Sequence, residues 1–291
     1  MIMTSELKYT LAVALIVLLL AATYGLRVVV KGRAHFDRID RQGGSRLLGK
    51  SAMELGYWVL TPAAKLMVWM RITPNQVSWA SLGFGFLAGV CLAIGHFGFG
   101  AICAIISGLL DSVDGMVARV SGVASDAGEV LDAAVDRYVE FFFLAGLMIY
   151  YRAVPVLQVV ALLALLGSFM VSYSTSKAEA LKVEPLRGMM RRPERALYLT
   201  VGAALSAVSI PWLETPGEFS IPLGYPMVLA LGLIAVAANI SAIVRFRSIA
   251  KTIRRRENDD RASGRARADE KALRDEQQSA QNSPHVTDIP F

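Results

Sequence analysis

Apolar residues come in long runs rather than in the alternating or 3.6-residue patterns of a soluble core. Seven such runs are read: Tyr9 to Val30, Asn75 to Ile94, Phe97 to Ala118, Gly128 to Tyr150, Val154 to Ser176, Pro193 to Trp212 and Pro222 to Val244. Each is about as long as a membrane-crossing helix, for which ~20 residues are needed. Arg27 near its end, then Lys31 and Arg33, close the first run with no small-residue cleavage site, so it is expected to remain as an anchor. Thr73-Pro74 precedes the second run, and proline suits a first helical turn because its missing N–H would be unpaired there.

Between the first two runs, residues 31–72 mix Lys31, Arg33, Arg38, Arg41, Arg46, Lys50, Lys65 and Arg71 with Trp58 and Trp69. Basic residues interleaved with tryptophan predict helices lying in the membrane interface, divided at Pro62. The stretch from Arg245 onward is charged and of mixed sign, and is expected to begin as a helix and fade into disorder. The organisation expected is an anchor over 1–30, basic interfacial helices over 31–72, a six-span core over 73–245 and a cytoplasmic tail over 246–291. Arg and Lys concentrate in 31–71, 119–128, 177–195 and the tail, which places those segments and the C-terminus in the cytoplasm.

Composition agrees with the runs. Of the 291 residues 54% are hydrophobic, the mean hydropathy is +0.47 and the net charge is +6. A chain this apolar is a polytopic all-α membrane protein, and its basic excess follows loop charge bias rather than nucleic-acid binding. Cys91 and Cys103 sit in apolar runs as small buried side chains, and His35, His96 and His285 are scattered, so no zinc pattern exists.

One stretch breaks the apolar pattern in an informative way: Asp111-Ser-Val-Asp114-Gly115-Met-Val-Ala118-Arg119, then Gly128-Glu-Val-Leu-Asp132-Ala-Ala-Val-Asp136-Arg137. Carboxylates at membrane depth are costly and mark function. Asp111 and Asp114 are three residues apart on one helical face; Gly128, Asp132 and Asp136 are four apart and form one stripe. A short loop makes the two helices neighbours, so four carboxylates are expected to converge. Their repulsion in a low-dielectric site calls for protons or cations. Two divalent ions would cancel the formal charge, and oxygen-only ligands select Mg²⁺ or Mn²⁺. Metals beside small residues that admit a phosphate suit phosphoryl-type transfer. Intramembrane carboxylates also serve ion-coupled transporters, but transport does not explain Gly115 and Arg119 beside them.

The eight residues Asp111, Asp114, Gly115, Ala118, Arg119, Gly128, Asp132 and Asp136 resemble the signature of the CDP-alcohol phosphotransferase family at every fixed position, and the likeness is read over residues 50–245. The resemblance implies a six-span catalytic core, preceded here by one extra span, and often a homodimer. It implies attack of an alcohol on the β-phosphate of a CDP-linked donor with release of CMP. Asp111, Asp114, Asp132 and Asp136 would then bind two metal ions, with Asp136 also the catalytic base. Gly115, Ala118, Arg119, Gly128 and Asn75 would bind the nucleotide.

A second basic cluster, Ser172-Tyr173, Lys177-Ala-Glu179, Arg187 and Arg191-Arg192-Pro193-Glu194-Arg195, is similar to the prokaryotic phosphatidylinositol-phosphate synthase branch. That branch joins CDP-diacylglycerol to inositol 1-phosphate, which implies acceptor binding by Lys177, Arg187, Arg192 and Arg195. Ser174-Thr175-Ser176 stands where the branch often carries a lysine, so glycerol 3-phosphate and serine remain alternative acceptors. A small CDP-alcohol donor with diacylglycerol as acceptor remains the alternative chemistry.

Overall fold

The computed structural model describes residues 2–31, 49–184, 190–214 and 221–281. Among these residues the fold is all helix: α1 (Ile2–Lys31), α2 (Gly49–Trp69), α3 (Pro74–Ala93), α4 (Phe97–Val120), α5 (Asp126–Tyr150), α6 (Pro155–Ala180), α7 (Arg192–Leu213) and α8 (Tyr225–Gln281), with a single 3₁₀ turn at Tyr151–Ala153. Among the described residues six helices are long and apolar enough to cross a membrane: those containing Glu6–Val28, Pro74–Ala93, Phe97–Val120, Pro155–Ala180, Arg192–Leu213 and Tyr225–Ser263. The chain is an all-α polytopic membrane bundle. Of the seven expected spans the fourth, Gly128 to Tyr150 within α5, has the length but not the composition. Asp126, Glu129, Asp132, Asp136, Arg137 and Glu140 charge its first half.

Two compact units are distinguished: Met1–Tyr173 with Gly188–Ala242, and Ser174–Arg187 with Ile243–Phe291. In the first, α3 begins with a reciprocal cap. Thr73 Oγ1 accepts from the Gln76 amide (3.3 Å) and Gln76 Oε1 accepts from the Thr73 amide (2.9 Å), with Pro74 following. Gly95, at φ +86°, turns the chain sharply into α4. Ser81 and Ser107 then tie α3 to α4, each hydroxyl donating to the other's carbonyl at 2.9 and 2.8 Å. On the other side α3 meets α5 backbone to backbone. A Cβ on Gly146 would sit 2.2 Å from the Gly89 carbonyl oxygen, and one on Gly89 would sit 2.3 Å from that of Phe142. Small residues permit this approach in membranes, where dispersion between helices replaces the hydrophobic drive.

α2 runs unbroken through Pro62, where a division was expected. The Thr61 hydroxyl donates to the Tyr57 carbonyl (2.5 Å), beside the carbonyl that proline leaves without a donor. Its Ala64 packs in a cluster with Val77, Val113, Met116 and Val117, so α2 buttresses the start of α3 and the end of α4 that carries Asp111 and Asp114. Residues 32–48, the other part of the expected interfacial segment, lie outside the described residues.

The first helix is docked at both ends. The buried Glu6 carboxylate accepts from the Gly98 amide (3.3 Å) and pairs with His96 Nδ1 (2.5 Å). Tyr24 donates to Glu54 (3.0 Å), while Arg27 lies 5.7 Å from the Trp58 ring centroid. Its remaining face, including Leu11, Leu15 and Leu18, is exposed, as a lipid-facing side should be.

In the second unit, Arg256 caps the end of α6 by donating to the Leu181 and Lys182 carbonyls at 3.3 and 2.9 Å. The helix α8 persists to Gln281, further than expected for a charged tail. Residues 227–282 contain no proline, and strong helix formers with Glu257 four residues before Arg261 favour continuation. Residues 282–291 lie outside the described residues.

Candidate active site

Ser125 starts α5 by accepting the Gly128 amide (3.2 Å), which fixes where the Gly128–Asp132–Asp136 stripe faces. Opposite it, Asp111 and Asp114 project from the last turns of α4. The structure gathers three of the four carboxylates: one oxygen from each of Asp111, Asp132 and Asp136 lies within 4.8 Å of the other two. Asp114 is buried beside this group and turned to α3, where Ser78 Oγ donates to its Oδ2 (2.6 Å).

The cluster meets two arginines. Arg192, at the start of α7, donates through both terminal nitrogens to Asp111 (3.1 and 3.2 Å), and Nη2 also touches Asp136 Oδ1. Arg137 stands 3.6 Å from Asp136 Oδ2 and donates to its own helix at Ala133 (3.0 Å). Asp136 Oδ1 is sealed from solvent and has no hydrogen bond of acceptable geometry. A converging set of hard oxygen donors, one of them buried against the Arg192 guanidinium, fits an oxygen-liganded divalent cation.

Beside the carboxylates lies a cavity of about 790 Å³ lined by Asn75, Ser78, Asp114, Gly115, Ala118, Arg119, Gly128 and Asp132, among others. This volume falls in the range of sites that take whole cofactors, ~300–1,000 Å³. All five residues expected at a nucleotide line this one space. Arg119 folds back over Gly115, since a Cβ there would lie 3.2 Å from Arg119 Nη1; the glycine leaves room for the guanidinium as well as for a ligand. A second cavity, of about 70 Å³, is lined by Gly85, Ala88, Ala104, Gly108 and Asp136, among others.

The basic cluster divides. Arg192 joins the carboxylates, while Arg195 is fully buried and held by Glu140 (Nε to Oε1 2.6 Å, Nη2 to Oε2 2.8 Å) and by the Met190 carbonyl (2.7 Å). Arg195 therefore points into the helix contact rather than into an acceptor pocket. Lys177 is exposed near the end of α6, in the second unit, and Arg187 lies outside the described residues. Sequence reasoning passed over Glu140 and Ser78. Glu140 continues the four-residue stripe 128–132–136, and Ser78 lies one helical turn after Pro74 at the polar start of its span. Each signal was present in the spacing.

A family model of CDP-alcohol phosphatidyltransferases matches residues 71–230, over half of the chain. The chain belongs to the CDP-alcohol phosphatidyltransferase family. It is a membrane-integrated transferase of phospholipid synthesis, and the eight signature residues fall within the matched region. It is 31% identical over 173 residues to the phosphatidylinositol phosphate synthase of Corynebacterium glutamicum, covering 57% of this chain and 78% of that one. Among solved structures it resembles Mycobacterium tuberculosis phosphatidylinositol phosphate synthase with CDP-DAG bound (TM-score 0.57, 26% identity, 66% of this chain and 93% of that chain). It also resembles the complex of that enzyme with manganese and citrate (TM-score 0.57, 26% identity, 65% and 88%). Both α1 and α2 precede the stretch that the family model matches.

Proposed function

We propose that this phosphatidyltransferase moves the phosphatidyl group of CDP-diacylglycerol onto inositol 1-phosphate and releases CMP. One observation carries the reading: the three-carboxylate cluster stands next to the 790 Å³ cavity that all the nucleotide-facing signature residues line. The similarity to enzymes named for that product supports the acceptor. Asp111, Asp114, Asp132 and Asp136 would hold two Mg²⁺ or Mn²⁺ ions, which supply charge neutralisation at the diphosphate and polarise the acceptor hydroxyl.

The protein's own residues do the rest. Asn75, Gly115, Ala118 and Gly128 shape the cavity for the cytidine nucleotide, and Arg119 takes the diphosphate oxygens through its fork. Asp136, the most enclosed of the three clustered carboxylates, accepts the proton of the attacking hydroxyl. The acceptor oxygen bonds to the β-phosphorus as the bond from that phosphorus to the CMP oxygen breaks, and CMP leaves with the electron pair. Arg192 supplies a cation for the acceptor's phosphate, and Lys177 and Arg187 are carried as acceptor-binding candidates on the family resemblance alone; Arg195 has its structural partner instead. Positive-inside bias orients the site and the C-terminus to the cytoplasm. We take the working assembly to be a homodimer, with residues 1–30 as the anchor, 31–72 interfacial, 73–245 the core and 246–291 the tail.

The test is CMP release by purified protein given CDP-diacylglycerol and Mg²⁺ or Mn²⁺, with inositol 1-phosphate, glycerol 3-phosphate, serine or inositol in turn. Release with inositol 1-phosphate alone, abolished by chelator and restored by either metal, is expected. Release with another acceptor keeps the chemistry and replaces the acceptor. No release with any of them turns the search to small CDP-alcohol donors with diacylglycerol, and then to ion transport.

A further inference from the structure

Arg192 occupies the atoms that a cation would need. Its two terminal nitrogens span both oxygens of Asp111, and Nη2 touches Asp136 Oδ1. Asp111 and Asp136 are two of the three carboxylates that converge. A guanidinium carries only donors and coordinates no metal, so guanidinium and cation are two positive groups competing for the charge and lone pairs of these oxygens. The backbone at Arg192 is held from several directions. Pro193 follows it, Glu194 Oε2 accepts from the Arg191 amide (3.1 Å), and one turn on Arg195 is locked to Glu140 and to the Met190 carbonyl. With the main chain held, exchange is a matter of the Arg192 side chain swinging about its own bonds. That side chain is 28% exposed, so it has an open direction in which to swing.

We propose that Arg192 is a built-in counter-ion that competes with the divalent cation for Asp111 and Asp136, so that cation binding and release of the guanidinium are one linked event. The device keeps the clustered carboxylates from facing one another uncompensated before a cation arrives. It also makes a free cation of Arg192 when the metal is in place, beside the position where an anionic acceptor would meet the reacting phosphate. Arg137 is the internal contrast. It lies 3.6 Å from Asp136 and holds its own helix carbonyl, so it neutralises charge without covering a ligand oxygen.

The inference rests on the carboxylates being metal ligands, as the proposed function has it, and not on the acceptor. Its test therefore uses the full chain without either substrate. Mn²⁺ is titrated into purified protein at mildly alkaline pH, and free aqueous Mn²⁺ is followed by electron paramagnetic resonance for wild type, Arg192→Gln, Arg192→Lys and Arg137→Gln. A competitor filling the site most of the time weakens apparent affinity by the fraction of molecules left open, so Arg192→Gln should bind Mn²⁺ about tenfold tighter or more. Arg192→Lys, which keeps the charge and loses the fork, should fall between wild type and Gln. Arg137→Gln should change affinity less than either. Equal or weaker binding in Arg192→Gln overturns the proposal; if that variant does not fold, equal or weaker binding in Arg192→Lys does so. No stoichiometric Mn²⁺ binding in any protein sinks the metal reading and this proposal together. Tighter binding in Arg192→Gln with CMP release to some other acceptor leaves the counter-ion standing and removes only the inositol phosphate.

Discussion

Arg192 and Arg195 lie one helical turn apart on α7, and each faces a carboxylate of α5 one turn apart, Asp136 and Glu140. Chemically the pairs are alike; their surroundings separate them. Arg195 is wholly buried and all its directed bonds are made to Glu140 and to the Met190 carbonyl. Arg192 is partly exposed and shared between carboxylates that converge from two helices. A buried pair whose partners are fully matched fixes geometry, and opening it leaves an uncompensated charge in the interior. A pair at the edge of an excess of negative charge can be exchanged for another cation. The same Arg–carboxylate chemistry thus serves as a strut in one turn and as an exchangeable contact in the next.

The largest expected effect breaks the Arg192 side of this comparison. Asp136→Asn removes the proposed base and a ligand, so kcat for CMP release should fall by roughly 10²–10⁴. The variant should still purify as folded protein, because Glu140 and Arg195 remain paired. A fall in stability as large as that in activity would mean that Asp136 is part of the strut instead.

Next in size is the other side. Arg195→Ala strands Glu140 in the interior and should cost about 3–5 kcal/mol of stability, read as an earlier thermal transition in detergent. Replacing both partners with methionine should recover much of that stability, since an apolar pair carries no desolvation cost. If Arg195→Ala instead stays stable while only the KM for the acceptor rises, Arg195 belongs to the acceptor site and the contrast with Arg192 collapses.

A third prediction asks whether the frame beneath both pairs is as tight as it looks. Gly89→Val pushes a branched side chain against the backbone of Phe142, where even a Cβ would approach to 2.3 Å. Separation of α3 from α5 should cost about 1–3 kcal/mol and lower activity in proportion, because both helices line the 790 Å³ cavity proposed to take the nucleotide. Unchanged activity and stability would show that the helices can part without disturbing the site.

How much of this was legible before the fold is best seen residue by residue. The four aspartates could be read because helical spacing and a short loop dictate where they meet, while Gly115, Ala118, Arg119, Gly128 and Asn75 were legible as nucleotide residues only through the family resemblance. The 790 Å³ cavity then collects Asn75, Gly115, Ala118, Arg119 and Gly128 on one wall system. Arg195 could not be separated from Arg192 by sequence, because loop charge bias, acceptor binding and a buried strut all call for arginine. Only the carboxylate across the helix contact decides between them. That Asp114 turns to Ser78 was hidden for a related reason: spacing along a helix says which face a residue is on, and a neighbouring helix decides what it bonds. Pro62 misled because a proline ends helices in water more readily than in a packed membrane bundle.

Ser78 supplies the smallest and most discriminating effect. Asp114 shares a helical face with Asp111 yet differs from it in its partner: a neutral hydroxyl at 2.6 Å rather than a guanidinium. A hydroxyl orients a carboxylate without competing for its full charge, so Asp114 can keep one oxygen on Ser78 while offering the other to a cation. Ser78→Ala removes the orienting bond and should weaken Mn²⁺ binding by an amount worth about 1–2 kcal/mol, the scale of a hydrogen bond to a charged group. The direction is opposite to that expected for Arg192→Gln, because one change loosens a ligand and the other removes a rival. Tighter Mn²⁺ binding in Ser78→Ala would place the serine with Arg192 as an occupant of the site, and Asp114 would then be a ligand held back by its hydrogen bond rather than aimed by it.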